Sequence, residues 1–394
     1  MTNSYIANWS GSELYIRDVA TELIKRGHMP SVYSPRLGKL AKEIRARSIP
    51  VVNDLNSISA APDLIHGQHH LETMTALLHF PDIPAVFFCH GWLPWEEIPP
   101  IHPRIVQYIA VSDTVHDWLI SEFGIPEEKI TTILNFVDLE RFRPRPPLPP
   151  NPKRGLIFSN QASESNYVGI VREACARSGI LVDVIGYTNG NPSFHPEALL
   201  GNYDIIFARG RAALEGLAVG AAVICCDLEG MGPMVTTQNL EWLRRKNLGI
   251  KVLDRPITVD NLSGEIQQYN PADAREVSQT IRATAGLTEA VDRILVVYNS
   301  IMTRWVENEH NVSTGESRAV STYLKWISEE IDALQKEFNG LSNIKNSLTW
   351  RLYLRMMTSL APIRNLYILL ITPFRRWQAR RRAKANTVGH QKEN

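Results

Sequence analysis

The sequence predicts an α/β protein of two doubly wound, Rossmann-like domains facing a cleft, followed by a helical, amphipathic and basic C-terminal tail. Three observations point there. Short apolar segments alternate with amphipathic helical stretches in both halves of the chain, the pattern of parallel sheets covered by helices. Residues 143–153, RPRPPLPPNPK, hold six prolines in eleven positions and separate the two series as an extended, semi-rigid connector. Residues 341–394 carry eleven Lys and Arg against the single acidic Glu393, a net of +10, so with +1 for the whole chain residues 1–340 carry −9. An acidic body with a basic tail points to an anionic surface as the partner of the tail.

In the first half, residues 11–28 read as a helix with Ser12 as its N-cap and Gly27 as its stop, burying Leu14, Val19, Leu23 and Ile24. Apolar segments at 31–33, 50–52, 64–66, 85–89 and 108–111 read as strands, and 39–47, 71–78 and 114–123 as helices between them. Only residues 1–6 are left for the first strand, which is either short or begins upstream. In the second half the strands are 155–159, 181–185, 205–208 and 221–226, with a helix at 167–178. Residues 208–233, ARGRAALEGLAVGAAVICCDLEGMGP, carry the most information. They read as a loop, a helix opened by Arg209-Gly210-Arg211 and stopped by Gly220, a buried strand, and a second glycine-rich loop at 230–233. A helix N-terminus offers free N–H groups and partial positive charge, so two arginines there make an anion site. Glu215 lies four residues past Arg211 and shares its face of the helix.

This stretch resembles the donor-sugar site of the GT-B glycosyltransferases, specifically the retaining family 4. The first half is similar to the N-terminal domain of the same family, through Gly11-Ser12-Glu13, Arg26-Gly27-His28, Asp63–His66, Cys89-His90-Gly91, Val111-Ser112 and the turn ILNFVDLERF at 133–142. The resemblance spans roughly residues 5–305 and implies a retaining transferase that moves a sugar from a nucleotide sugar to a hydroxyl of a glycan or lipid-linked glycan. It implies His90 and Glu215 as the catalytic pair. Gly11, Ser12, Asn160, Arg209, Gly210, Arg211 and Glu215 are implied as donor-binding, and Trp92, Trp95 and Glu96, with Glu97 beside them, as an acceptor wall. Glu215 matches the glutamate that binds the donor ribose. Its partner eight positions earlier falls on Phe207, a departure from the family. The family's Arg and Lys in the first loop of the second domain fall near Ser159-Asn160-Gln161 and are absent, which leaves Arg209 and Arg211 as the diphosphate counter-charges.

No metal or cofactor is expected, and the nucleotide sugar is itself a substrate. His66, His69 and His70 match no ligand spacing and are read as cleft-lining polar residues. Gly230-Met-Gly-Pro lacks the third glycine of a dinucleotide fingerprint. Cys89, Cys175, Cys225 and Cys226 show no redox spacing, and residues 1–11 lack a basic start and an apolar run, so a cytoplasmic setting is expected.

The expected organisation is an acceptor domain over 1–142, a linker over 143–153, a nucleotide-sugar domain over 154–305, a helical extension over 306–340 and a membrane-associating tail over 341–394. In the extension, residues 322–338 read as a charged helix with Leu324, Ile327, Ile331 and Leu334 on one stripe. In the tail, the apolar run 365–374 is about half the ~20 residues of a spanning helix. With Trp350, Tyr353 and Trp377 and six basic residues in 375–384, it reads as a segment lying on the anionic inner face of the plasma membrane. The string SLTWRL at 347–352 resembles tails of bacterial glycosyltransferases of surface-polysaccharide assembly. No nucleic-acid recognition fold accompanies the arginines. Two alternatives remain: a catalytically silent GT-B subunit that binds a glycan or partner at the membrane, favoured by Phe207, and an epimerase or phosphorylase on the same fold, which has no need of the tail.

Overall fold

The structure, a computed structural model, describes residues 1–307 and 313–346. The chain divides into two compact units, Met1–Ala319 and Val320–Asn394. The first unit holds both sheets.

The first domain runs β1 (Tyr5–Ile6), α1 (Gly11–Lys25), β2 (Val32–Tyr33), β3 (Arg36–Leu37), α2 (Lys39–Arg45), β4 (Val51–Val52), β5 (Ile65–Gly67), α3 (His70–His79), β6 (Ala85–Cys89), β7 (Ile105–Ala110), α4 (Asp113–Phe123) and β8 (Ile130–Thr132). Strands β5-β6-β7-β8 form a parallel sheet, and β2 pairs β4 in parallel. Residues 1–3 bridge the two pieces: Tyr33 N–H donates to Met1 O at 2.8 Å, Asn3 N–H to Tyr33 O at 3.1 Å, and Thr2 N–H to His66 O at 2.9 Å. The expected first strand is therefore split. Its opening residues complete the sheet, and β1 pairs separately with β3.

The N-cap of α1 is Ser10, not Ser12, which is the second helical residue. The reason lies at Glu13, the third helical residue. Its carboxylate accepts the Ser10 N–H at 3.0 Å and the Ser10 hydroxyl at 2.5 Å, closing a capping box on Ser10. Val19 and Leu23 are buried as expected, yet so are Glu13, Arg17, Asp18 and Glu22 on the other faces. A helix that buries its charges needs partners for them, and these build the site described below.

The second domain runs β9 (Arg154–Phe158), α5 (Val168–Arg177), β10 (Leu181–Ile185), β11 (Ile205–Ala208), α6 (Gly210–Val219), β12 (Ala222–Asp227), β13 (Gly230–Met234), α7 (Leu240–Arg245), α8 (Val259–Ile266) and α9 (Pro271–Thr284). Its sheet has the order β10-β9-β11-β12-β13 and is parallel except for the edge strand β13. Residues 230–233 are thus a strand, not the glycine-rich loop expected from sequence. Gly232 is needed there because a Cβ would stand 2.3 Å from the Val252 carbonyl oxygen. The helix α6 starts and stops where the sequence places it, ending on Gly220 at φ +92°, a conformation glycine adopts without strain.

Two apolar layers cover the second sheet, one around Leu156, Ile206, Leu217 and Val223, the other around Ile157, Phe207, Ile224 and Val171. Helix α10 (Leu287–Glu307) follows the second domain but packs on the first sheet, where Val291, Ile294 and Ile301 meet Val19, Val86 and Phe88. The turn at 133–142 makes the crossing. Val137 exchanges backbone bonds with Ala285 and Leu287, Asp138 accepts the Glu140 and Arg141 N–H groups, and Phe142 is wholly buried in the second core.

Helix α11 (Ser313–Asn346) is longer than the helix expected over 322–338. Among the described residues, no helix is long and apolar enough to cross a membrane. The remainder of the tail, residues 347–394, lies outside the described residues.

Candidate functional site

A cavity of about 350 Å³ lies between the two sheets. One wall is the loop before α1 and the first turns of that helix, Trp9 to Arg17. The other combines the loop after β9, the loop after β10, the start of α6, and Asp227 at the end of β12. Ligands of open α/β sheets bind at such carboxyl ends of strands. Of the donor-binding residues expected from sequence, Gly11, Asn160, Arg209, Gly210, Arg211 and Glu215 all line this cavity. Ser12 does not.

Four arginines line it: Arg17 on α1, Arg141 at the crossing, and Arg209 and Arg211 at the start of α6. None is idle. Arg211 bonds Glu215 on its own helix at 2.9 Å and reaches Asp18 on the opposite wall. Asp18 also meets Arg17 at 2.6 Å and Arg141 at 3.7 Å. Burial opposes the charge on Asp18, but Arg211, then Arg17 and Arg141, outweigh it and hold the carboxyl below its usual range. Burial likewise opposes the charge on Arg211, and Asp18 and Glu215 overcome it, raising its pKa. Burial lifts the Glu215 carboxyl above its usual range against the pull of Arg211.

Arg209 bonds Asp227 at 2.6 Å and Glu229 at 3.4 Å. Asp227 is a second hub, accepting also from the hydroxyls of Ser159 at 2.6 Å and Tyr167 at 3.3 Å. The Gly210 N–H is taken by the carbonyl of Leu248 at 2.7 Å. Leu248 holds φ +49° to present it, a strained backbone for a branched side chain. The Gly210 N–H is therefore not open to an anion, and the expected counter-charges at this helix start are Arg209 and Arg211. On the first wall, Glu13 accepts the N–H groups of Ala7 at 3.0 Å and Asn8 at 3.2 Å, so this loop is held by an internal carboxylate.

Phe207, at the position of the missing glutamate, is fully buried inside β11 and points into the core rather than the cavity. After β11 the cavity lining resumes at Arg209. Across the cavity mouth Trp9 packs on Phe194 with ring centroids 4.3 Å apart, joining the two domains through aromatic rings.

His90 follows β6, as expected, and lies edge-on to Tyr15 at 4.5 Å. Its Nε2 is shielded from solvent and has no hydrogen-bond partner, and burial depresses its pKa to about 3, so the ring is neutral. The acceptor-wall residues divide. Trp92 lies under the Lys251 ammonium at 4.7 Å, Trp95 packs edge-on against His70 at 4.4 Å, and Glu96 stays half-exposed. Trp95 is thus a packing residue rather than part of an open wall. Glu97 is buried, with Oε2 shielded and unpartnered, and burial raises its pKa to about 7.

His66, His69 and His70 are buried rather than cleft-lining. His66 stacks on Phe88 and bonds the Tyr298 hydroxyl, while His69 Nδ1 accepts the Ser4 N–H at 3.0 Å. Among the described residues no cluster of three metal-ligating side chains occurs.

Sequence reasoning missed Asp18, Arg17, Arg141, Ser159 and Asp227. Asp18 and Arg17 left only a faint trace, two charges set between the apolar Ile16 and Val19 of α1. Asp227 closes the buried strand it follows, and nothing in its spacing announced the bond to Ser159.

Residues 9–141 match the family described as Glycosyltransferase Family 4. Among solved structures, a glycosyltransferase from Rickettsia africae ESF-5 aligns with TM-score 0.57 and 18% identity, over 76% of this chain and 98% of that one. Anabaena Alr3699/HepE in complex with UDP and glucose aligns with TM-score 0.55 and 15% identity over the same shares. The fold is GT-B, with a family 4-like first half. No curated protein sequence matches the chain. At these identities the structural likeness is one of fold.

Proposed function

We propose that this GT-B chain is a glycosyltransferase that moves a sugar from a nucleotide-sugar donor to a hydroxyl of a glycan or lipid-linked glycan, with retention and without a metal. The observation that carries the reading is the convergence of Arg17, Arg141, Arg209 and Arg211 on one interdomain cavity. Fixed positive charge in a water-poor cleft stabilises a departing diphosphate, and losing one such donor costs a reaction about 10²–10³ in rate. In the proposed step the bond from the sugar C1 to the diphosphate oxygen breaks and the acceptor oxygen bonds C1. The acceptor proton passes to the leaving phosphate. Arg211 and Arg209 take up the new charge by exchanging Asp18 and Asp227 for phosphate oxygens, Glu215 holds the ribose hydroxyls, and neutral His90 orients the sugar. The UDP carried by the Anabaena protein makes a uridine nucleotide the first donor to try.

We propose further that the tail holds this reaction at the inner face of a bacterial plasma membrane, in surface-polysaccharide assembly, a reading supported by the apolar residues and the basic run 375–384 in its sequence. High salt or alkaline carbonate is expected to strip the full-length protein from membranes, and retention in the pellet refutes a peripheral tail. The catalytic reading is tested by offering a panel of nucleotide sugars and following both thermal stabilisation and sugar transfer to a lipid-linked acceptor fraction. Stabilisation by a donor with transfer supports it. Stabilisation by none sinks it. Donor binding without transfer favours the second reading, a silent GT-B subunit, which the burial of Phe207 in place of the first glutamate supports.

A further inference from the structure

Helix α11 carries an apolar stripe of which four residues are exposed and two, Val320 and Ile327, are half-buried. Val320, Leu324, Ile327, Ile331, Leu334 and Phe338 recur at alternating spacings of four and three. That is a strict 3.5-residue repeat, not the wider 3.6-residue face of a helix lying on a globular core. Leu324 is 57% exposed, Ile331 47%, Leu334 57% and Phe338 70%. The polar positions sit opposite, with Lys325 and Glu329 paired at 3.7 Å on the outer face.

We propose that α11 is a dimerisation helix, its stripe from Val320 to Phe338 pairing with the same stripe of a second copy of this chain in a parallel, two-stranded coiled coil. The occupant is argued from three features. A heptad seam is self-complementary, because each a or d side chain enters a hole made by the equivalent positions of an identical helix. Next comes area. Burying an exposed Leu or Ile removes about 60–120 Å² from water, so the eight exposed seam side chains of a pair cover roughly 500–1,000 Å², to which the half-buried Val320 and Ile327 add. With flanking atoms added, this reaches the ~1,200 Å² of a specific interface. Leu341 extends the sequence pattern by a further step.

The third feature is charge, which sets the direction. With Leu324, Ile331 and Phe338 at a, the g positions are Tyr323, Glu330 and Glu337, and the e positions Ser321, Ser328 and Gln335. Parallel pairing sets g against the following e of the partner, so Glu330 meets Gln335. Antiparallel pairing sets g against g and brings glutamates together. The central heptad, Ile331 at a and Leu334 at d, favours two strands, while Leu324 at a and Ile327 at d in the preceding heptad favours more, so the measured mass decides the number of strands.

The test is sedimentation of the full-length protein at micromolar concentration in mild detergent, which keeps the tail from associating by itself. The expected mass is twice the 44.5 kDa of one chain. Ile331→Glu combined with Leu334→Glu is expected to give the monomer, while Lys336→Glu on the outer face leaves the dimer intact. Leu334→Cys keeps the falsification independent of those charges. All four native cysteines are buried, so oxidation of this variant is expected to yield a disulfide-linked dimer. A wild-type monomer, a larger oligomer, a dimer that survives the double substitution, or no cross-link at position 334 each overturns the proposal.

Discussion

Arg211 of α6 reaches across the interdomain cavity to Asp18 of α1 while bonding Glu215 on its own helix at 2.9 Å. The residue best placed to meet a diphosphate is thus already neutralised by one carboxylate from each domain. In the proposed reaction a donor displaces Asp18 to use Arg211, and donor binding is then coupled to the contact between the domains.

Asp18→Asn is expected to leave three arginines facing a buried amide. Breaking a buried ion pair costs about 3–5 kcal/mol, and a loss of several degrees in Tm should follow. The native Asp18 carboxyl is held low, so its stabilisation is present above the ordinary carboxylate pKa of ~4 and fades as pH falls through its folded value. The same variant should bind UDP more tightly, since no carboxylate competes for Arg211. Native Tm together with native UDP affinity would show that the pair does not hold the domains.

Arg211→Ala is expected to weaken UDP by tenfold or more while leaving uridine nearly unchanged, because the guanidinium reads phosphate and not the nucleoside. Glu215→Gln should cost ~1–2 kcal/mol toward both ligands, the loss of a charge-assisted bond to ribose. Calorimetry separates the two. Equal losses for UDP and uridine in Arg211→Ala would remove that arginine from the phosphate site.

His90→Ala is expected to reduce turnover by about a hundredfold, the scale of one oriented polar group lost from a dry reaction site. Donor affinity should change far less. With its pKa depressed to about 3, His90 stays neutral above pH 5 and sets no limb of a rate profile between pH 5 and 9. A full transferase rate in His90→Ala would place the residue outside the reaction.

The parts legible in the sequence are those written in local patterns. The α6 helix, its Gly220 stop and the Arg211–Glu215 pair follow from spacing along one helix, and the strands of both sheets from runs of apolar residues. The site proper was less legible because its partners are remote. Asp18 is 193 residues from Arg211, and Ser159 is 68 from Asp227. No helical or strand period links them, and an aspartate on an amphipathic helix reads as solvent-facing until a second domain covers it. Ser12 was misread for a related reason: Ser10 and Ser12 both fit a cap by type, and only the reach of Glu13 back to Ser10 decides between them. Residues 230–233 read as a loop because their glycines serve close backbone approaches, by Arg255 and Leu253 at Gly230 and by Val252 at Gly232, which leave no mark in composition.

Glu97 supplies a prediction about pH. Burial raises its carboxyl pKa to about 7, well above the ordinary ~4.3. Between those values the folded protein holds a proton that the unfolded chain has lost, so stability falls as pH rises, and the penalty is complete above pH 7. The shift corresponds to roughly 3–4 kcal/mol at 1.36 kcal/mol per pKa unit. His69 and His70, lowered by burial to about 4, and His90, lowered to about 3, act in the opposite sense. The unfolded chain binds their protons below pH 6.5 and the folded protein does not, so stability rises from about pH 4 to 6.5. These histidines outnumber Glu97, so native stability is expected to rise from pH 4 to 6.5. Glu97→Gln keeps the size of the side chain and removes the charge. It should match the native protein at pH 5 and melt several degrees higher at pH 8, as read by thermal denaturation across that range. An equal effect at both pH values would mean that Glu97 carries no buried charge, and the loop from His90 to Glu97 would owe its shape to packing alone.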